Sequence, residues 1–136
     1  MLRVSETAYA GMLAHAYDGL PNEACGLLVG SLADASAPRY ERCRNAAESS
    51  RLYTIDSRDH FRIYRESEDA GLDILGVVHS HTHTEAYPSP TDVAQAPDPD
   101  WHYVIISLRQ ESPVLRSYRI VDGTITEESV LVDPEL

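Results

Sequence analysis

Cysteine is scarce in this chain of 136 residues. Only Cys25 and Cys43 occur, far apart and outside any Cys-x-x-Cys spacing, which excludes a disulfide framework and a thiolate-rich zinc site. Both read as buried thiols that pack as small apolar groups. Basic charge is short as well: 11 Lys+Arg stand against 22 Asp+Glu, a formal net charge of -11 at pH 7. Nucleic-acid affinity is carried mainly by cationic contacts to phosphate, so neither DNA nor RNA is an expected partner. No run of about 18 apolar residues is present, so no membrane partner is expected either. The opening MLRVSETAYAGML has neither a basic leader before a long apolar core nor a small-residue cleavage site. A soluble, cytoplasmic protein follows as the expectation. With no repeat, linker or low-complexity stretch, the length predicts one domain over residues 1–136, large enough for its own core.

Hydrophobic periodicity then orders the chain. Ser5 is placed to cap a helix running to about Asp18, with Ala8, Met12, Leu13 and Ala16 on one side, closed by Gly19-Leu20-Pro21. His15 on that helix is expected at the surface. A short apolar strand covers ACGLLVGSL at 24–32, ADASAP follows as a surface turn, and RYERCRNAA at 39–47 reads as another strand. Ser57 opens a second helix ended by Ala70-Gly71. In DILGVVHSH at 73–81, Ile74, Leu75, Val77 and Val78 are apolar on both alternating faces, the mark of a central strand covered on both sides. WHYVIISL at 101–108 follows, then VLRSYRIV and TITEESVLV joined by Asp122-Gly123, a strong hairpin signal. This order predicts a mixed β-sheet flanked by helices, of α/β or α+β class.

The chemistry concentrates in VVHSHTHTEAYPSPTD at 77–92. On an extended chain His79, His81 and His83 share one face at about 6.6 Å intervals, so two neighbours can converge on one ion. The pairs His79/His81 and His81/His83 have the same separation. His79 emerges directly from the buried strand, which favours His79 and His81 as ligands, with His83 facing substrate or solvent. His60 and His102 read as structural or surface residues. Asp92 is the candidate third ligand, because a helix starting after Ser89 aims its first turn back toward the strand end. By itself, Ser-Pro-Thr-Asp is an ordinary helix start: Ser89 as N-cap, Pro90 at the first position, Asp92 near the positive helix end. Two imidazoles and a carboxylate would leave a fourth position open for water. Hydrolysis then needs a proton acceptor within reach. Glu23 is the candidate, since it precedes the ACGLLVG strand and meets the end of DILGVVHSH if the two strands run antiparallel.

Glu23 followed by His79-Ser80-His81, seven residues, Ser89, two residues and Asp92 resembles the motif of the JAMM (MPN+, Mov34/PAD-1) zinc metalloprotease family: an upstream Glu with His-Ser/Thr-His-x7-Ser-x-x-Asp. NEACGLL, SHTHTEAYPSPTDV and LRSYRIVDGTITEE extend the similarity over nearly the whole chain, toward the actinobacterial Mec group of that family. The resemblance implies a mixed sheet flanked by helices with cytidine deaminase-like architecture. It implies Zn2+ held by His79, His81 and Asp92, Glu23 as general acid/base, and Ser89 as hydrogen-bond donor to the oxyanion. It further implies release of cysteine from the C-terminus of a ubiquitin-like sulfur-carrier protein (CysO-like), entering by an extended Gly-Gly tail, as a step of cysteine biosynthesis. Two other functions stay open at this stage, an isopeptidase acting on lysine conjugates and a non-catalytic MPN scaffold. The stretch THTEAYP departs from the Pro-Gly that many JAMM proteins carry after the second histidine. His83, Glu85 and Tyr87 of that stretch are expected to line a compact pocket for the leaving group.

Overall fold

Strand pairing begins earlier in the chain than its periodicity predicts. In the computed structural model, which describes residues 1–136, β1 (Leu2–Ser5) precedes α1 (Glu6–Asp18). Four residues are too few to show an alternation, and only pairing with distant strands makes them a strand. Ser5 ends β1 and caps α1 at once: its hydroxyl oxygen accepts from the Ala8 amide at 2.9 Å and its O–H donates to the Pro38 carbonyl at 2.7 Å.

The rest follows as β2 (Cys25–Ser31), β3 (Ser36–Cys43), α2 (Ser57–Asp69), β4 (Asp73–His81), α3 (Pro90–Ala94), β5 (His102–Ser107), β6 (Val114–Val121), β7 (Thr124–Glu128) and β8 (Val130–Asp133). All eight strands form one sheet in the order β7-β6-β5-β4-β2-β3-β1-β8. It is mixed: β4 and β5 run parallel, as do β1 with β3 and β1 with β8, and the other neighbours are antiparallel. The α+β expectation is met, with β4 central.

Alternation along the middle strands builds two apolar layers. Leu28, Val78, Val104 and Ile106 join Met12 and Ala16 of α1 on one face, while Leu27, Val77 and Tyr103 join Ile63 of α2 on the other. Cys25 and Cys43 are directly opposed across β2 and β3, buried and unbridged. Burial pushes both thiols up to about 12, so they behave as inert packing groups. No helix is long and apolar enough to cross a membrane.

Three expectations need correction. The strand expected at 39–47 starts inside the supposed ADASAP turn and ends at Cys43; Pro38 is tolerated because the β2–β3 register shifts between Val29 and Ser31, so its missing N–H breaks no regular ladder. TITEESVLV is not one strand. It divides at Ser129, so that β7 lies on one edge of the sheet and β8 on the other, the sheet curling until its two edges are consecutive in the chain. His15 is half-buried rather than exposed, with Nδ1 2.6 Å from the Tyr40 hydroxyl. The Asp122-Gly123 turn forms as expected, both residues at positive φ, 50° and 78°.

Candidate active site

The antiparallel pairing of β2 with β4 sets Cys25 opposite His79, which brings the residues just before β2 to the C-terminal end of β4. Ser80, whose side chain faces away from the histidines on either side of it, locks this junction. Its Oγ accepts from the Ala24 amide at 2.8 Å and its own amide donates to the Ala24 carbonyl at 2.9 Å. Glu23 is thereby held beside the two histidines.

His79 and His81 are both buried at the end of β4, on the face that carries Val77. Their Nε2 atoms lie 3.1 Å apart, and Asp92 Oδ2 lies 3.2 Å from the first and 3.0 Å from the second. The ring of His79 stacks on Tyr53, centroids 4.2 Å apart and planes 19° from parallel. His81 Nδ1 is 2.8 Å from the Glu85 carbonyl. A carbonyl can only accept, so this contact puts the proton on Nδ1 and turns the Nε2 lone pair toward Asp92. Asp92 Oδ2 also accepts from the Ser89 amide at 2.9 Å, while Ser89 Oγ accepts from the Asp92 amide at 3.0 Å. The helix cap and the convergence on the histidines are therefore one structure, and the same oxygen serves both.

With both rings neutral, three lone pairs face one another. Ligand atoms held tetrahedrally about 2.0–2.1 Å from an ion stand about 3.3 Å apart, close to the separations found here. His79, His81 and Asp92 thus fit a metal ion such as zinc, and the N,N,O donor set suits it chemically. Titration tells the same story of a place built for positive charge. When protons rather than an ion occupy the Nε2 atoms, burial would raise the Asp92 carboxyl, but hydrogen bonds from His79 and His81 hold it far below the usual carboxylate range. Burial lowers His81, yet bonding to Asp92 and to the Glu85 carbonyl more than offsets this and leaves it raised. In the more enclosed His79 burial prevails, and its pKa falls.

Glu23 is only 5% exposed, and its Oε1 is buried with no hydrogen-bond partner. Burial, opposed by His81 and reinforced by Asp92, pushes its carboxyl up to about 7. An unpartnered acceptor near neutrality, in a cleft of about 400 Å³ that His81, Ser89 and His83 also line, is suited to exchange a proton with a bound water.

The expected leaving-group pocket is divided. His83 lines this cleft, beyond the end of β4 and exposed, so it stands outside the group of three. Glu85 and Tyr87 face a different cleft, about 340 Å³, together with Arg109 and Arg116. The loop is turned that way because the Tyr118 hydroxyl donates to the Ala86 carbonyl and Tyr87 packs edge-on against Tyr118. Tyr53 and Arg51, which lines the main cleft, carry no distinctive signal in the sequence. Ser80 alone had a cue, its place between two histidines of one face.

Residues 5–121 match the family model described as prokaryotic homologs of the JAB domain. The chain is 47% identical over 122 residues to the CysO-cysteine peptidase of Mycobacterium tuberculosis, covering 89% of this chain and 84% of that protein. It is 32% identical over 111 residues to the desampylase of Haloferax volcanii, covering 78% and 80% respectively. A solution structure of a protein from Desulfitobacterium hafniense matches with a TM-score of 0.91 at 34% identity, covering 100% of this chain and 95% of that one. A JAB1/MPN domain protein from Archaeoglobus fulgidus shares the fold, with a TM-score of 0.61 at 19% identity and 96% and 99% coverage.

Proposed function

Because the chain belongs to the family of prokaryotic JAB-domain homologues and is a hydrolase of that type, we propose that it cleaves the amide at the C-terminus of a ubiquitin-like sulfur-carrier protein and releases cysteine, with zinc as the metal. The observation that carries this reading is the convergence of His79, His81 and Asp92 on one point, with His81 lining the same cleft as the unpartnered Glu23 carboxyl. The kinship to the CysO-cysteine peptidase supports the choice of carrier. The reading places the reaction in the cytoplasm, where the unbridged Cys25 and Cys43 are at home. A scaffold without activity has no use for a complete donor set beside a raised carboxyl.

His79, His81 and Asp92 would hold the ion, which when bound supplies Lewis acidity and lowers the pKa of water. Glu23 takes a proton from the attacking water as the new C–O bond forms at the scissile carbonyl. It returns that proton to the nitrogen as the C–N bond breaks, so the products are a carboxylate-ended carrier and a free amine. The Ser89 hydroxyl accepts from the Asp92 amide, which leaves its own hydrogen free to donate to the developing oxyanion. Burial of Glu23 keeps its carboxyl near the pH at which it can both take and give a proton. An extended Gly-Gly tail suits the cleft, because glycine lets the backbone come close to the walls.

The kinship to a desampylase favours a second substrate, a carrier joined to a lysine side chain. A carrier ending in Gly-Gly-Cys, incubated with the zinc-loaded protein and followed by mass spectrometry, is expected to lose one cysteine. An unchanged mass, with a lysine-linked conjugate cleaved instead, would replace the first substrate by the second.

A further inference from the structure

We propose that Arg51 binds the free α-carboxylate of a single amino acid on the leaving side of the scissile amide, so that the enzyme selects carrier tails extended by one residue over tails joined to lysine. This rests on the hydrolase reading above and narrows its substrate class.

Arg51 sits in the loop between β3 and α2, and that loop is fastened to the catalytic residues on both sides. The Ser49 carbonyl accepts from the Glu23 amide at 2.8 Å, and the Ser50 carbonyl accepts from Thr82 Oγ1 at 2.9 Å. Ser49 Oγ takes the amides of Arg51 and Leu52 at 3.0 and 3.2 Å, and the Asn45 side chain donates to the carbonyls of Glu23 and Leu52 at 3.0 Å each. The backbone under Arg51 is therefore positioned relative to Glu23 and the residue following His81. Its side chain lines the cleft shared by Glu23, His81 and Ser89.

The state of the guanidinium gives the argument its direction. In a chain with net charge -11, Arg3, Arg42, Arg44, Arg62 and Arg116 are each held by a carboxylate. Arg51 has neither an ion pair nor a side-chain hydrogen bond, a state it shares with Arg39, Arg58, Arg65 and Arg109, but of these arginines only Arg51 lines the cleft of Glu23, His81 and Ser89. Its planar donors stand ready for a carboxylate from outside. In an adduct of one amino acid, the α-carboxylate lies two bonds from the leaving nitrogen. In a lysine isopeptide, the nitrogen is followed by four methylenes and no anion is near. A cation beside the site where the nitrogen receives its proton separates these two substrates. Glu85 and Tyr87, turned into the other cleft, leave the recognition of this group to Arg51 and the exposed His83.

The test uses three peptides with the zinc-loaded protein: one ending Gly-Gly-Cys as the free acid, the same peptide as the carboxamide, and a Gly-Gly tail on a lysine side chain. The wild type is expected to favour the free acid over the carboxamide by about 10- to 100-fold in kcat/KM, mostly through KM. Arg51→Ala should lower the free acid to the level of the carboxamide, and Arg51→Lys should restore part of the preference. Calorimetric binding of the two Gly-Gly-Cys peptides to the Glu23→Gln protein should show the same dependence on Arg51. An Arg51→Ala protein that still prefers the free acid, in turnover or in binding, overturns the role of Arg51 and leaves the hydrolase reading intact. Cleavage of the lysine-linked peptide alone overturns the cysteine-releasing reading and the Arg51 assignment together.

Discussion

Two buried histidine–carboxylate groups lie on neighbouring parallel strands, and they differ in how their protons are matched. On β5, His102 is 2% exposed, and its Nδ1 meets Glu128 Oε2 at 2.6 Å while Ser117 Oγ donates to the same oxygen at 2.8 Å. Donors and acceptors balance there. Burial would raise the Glu128 carboxyl, but the bonds from His102 and Ser117 hold it below its ordinary value. On β4, His79, His81 and Asp92 present three acceptor atoms to one point, with the unpartnered Glu23 oxygen close by. Burial of ionisable groups is common to both places, so burial is no mark of function. What separates them is an excess of lone pairs, which a structural cluster avoids because each unmatched polar group costs about 1–3 kcal/mol, and which a cation turns into binding energy.

The largest effect that sharpens this contrast is loss of the metal. His79→Ala, His81→Ala and Asp92→Ala are each expected to take bound zinc from about one ion per chain to none and to abolish turnover, whereas His83→Ala and His102→Ala keep the ion. Elemental analysis checks this directly; zinc retained in all three ligand variants would move the site elsewhere. Next comes Glu23→Gln. It should keep zinc and fold while losing about 10²- to 10⁴-fold in turnover, because the amide cannot take a proton. Ser89→Ala should lose about 10²- to 10³-fold by removing an oxyanion donor, with about 1 kcal/mol of stability lost with the helix cap. A variant that is less stable but fully active would leave Ser89 a cap and nothing more.

The same substitution on β7 should act the other way. Glu128→Gln removes a charged acceptor from a balanced cluster, and is expected to cost about 1–3 kcal/mol in denaturant unfolding with kcat unchanged. The two carboxyls also differ in the sign of their pH dependence. Glu128 is depressed in the folded state, so its contribution is present above the ordinary glutamate range and is lost as pH falls through its folded pKa. Glu23 is raised, so the folded metal-free protein binds more protons between 4.5 and about 7, and its stability falls as pH rises through that window. Relative to wild type, metal-free Glu23→Gln should gain stability across that window, and Glu128→Gln should lose its deficit at low pH. Parallel slopes for the two variants would erase the distinction between the clusters.

The local pattern of the chain was enough to place the chemistry on a strand end. Period-two alternation sets His79 and His81 on one face whatever lies around them, and Ser89-Pro90-Thr91-Asp92 specifies a capped helix start by its own backbone chemistry. Both are short-range facts that survive without knowledge of neighbours. Glu23 was legible only on the condition that two strands pair antiparallel, a condition that residues distant in the chain had to meet. Other features had no local signature. Which pair of histidines converges was decided by where β4 ends, since spacing alone treats His79 and His83 alike as partners of His81. The placing of β1 and the splitting of β7 from β8 came from closure of the sheet across its edges. The turning of Glu85 and Tyr87 into a separate cleft came from Tyr118, and the place of Arg51 in the cleft of Glu23 came from the seating of its loop against Glu23 and Thr82. Sequence determines which way a side chain points from its own strand or helix, because that depends on backbone period; what the side chain meets there depends on register and packing between elements far apart in the chain, and only the tertiary structure sets these.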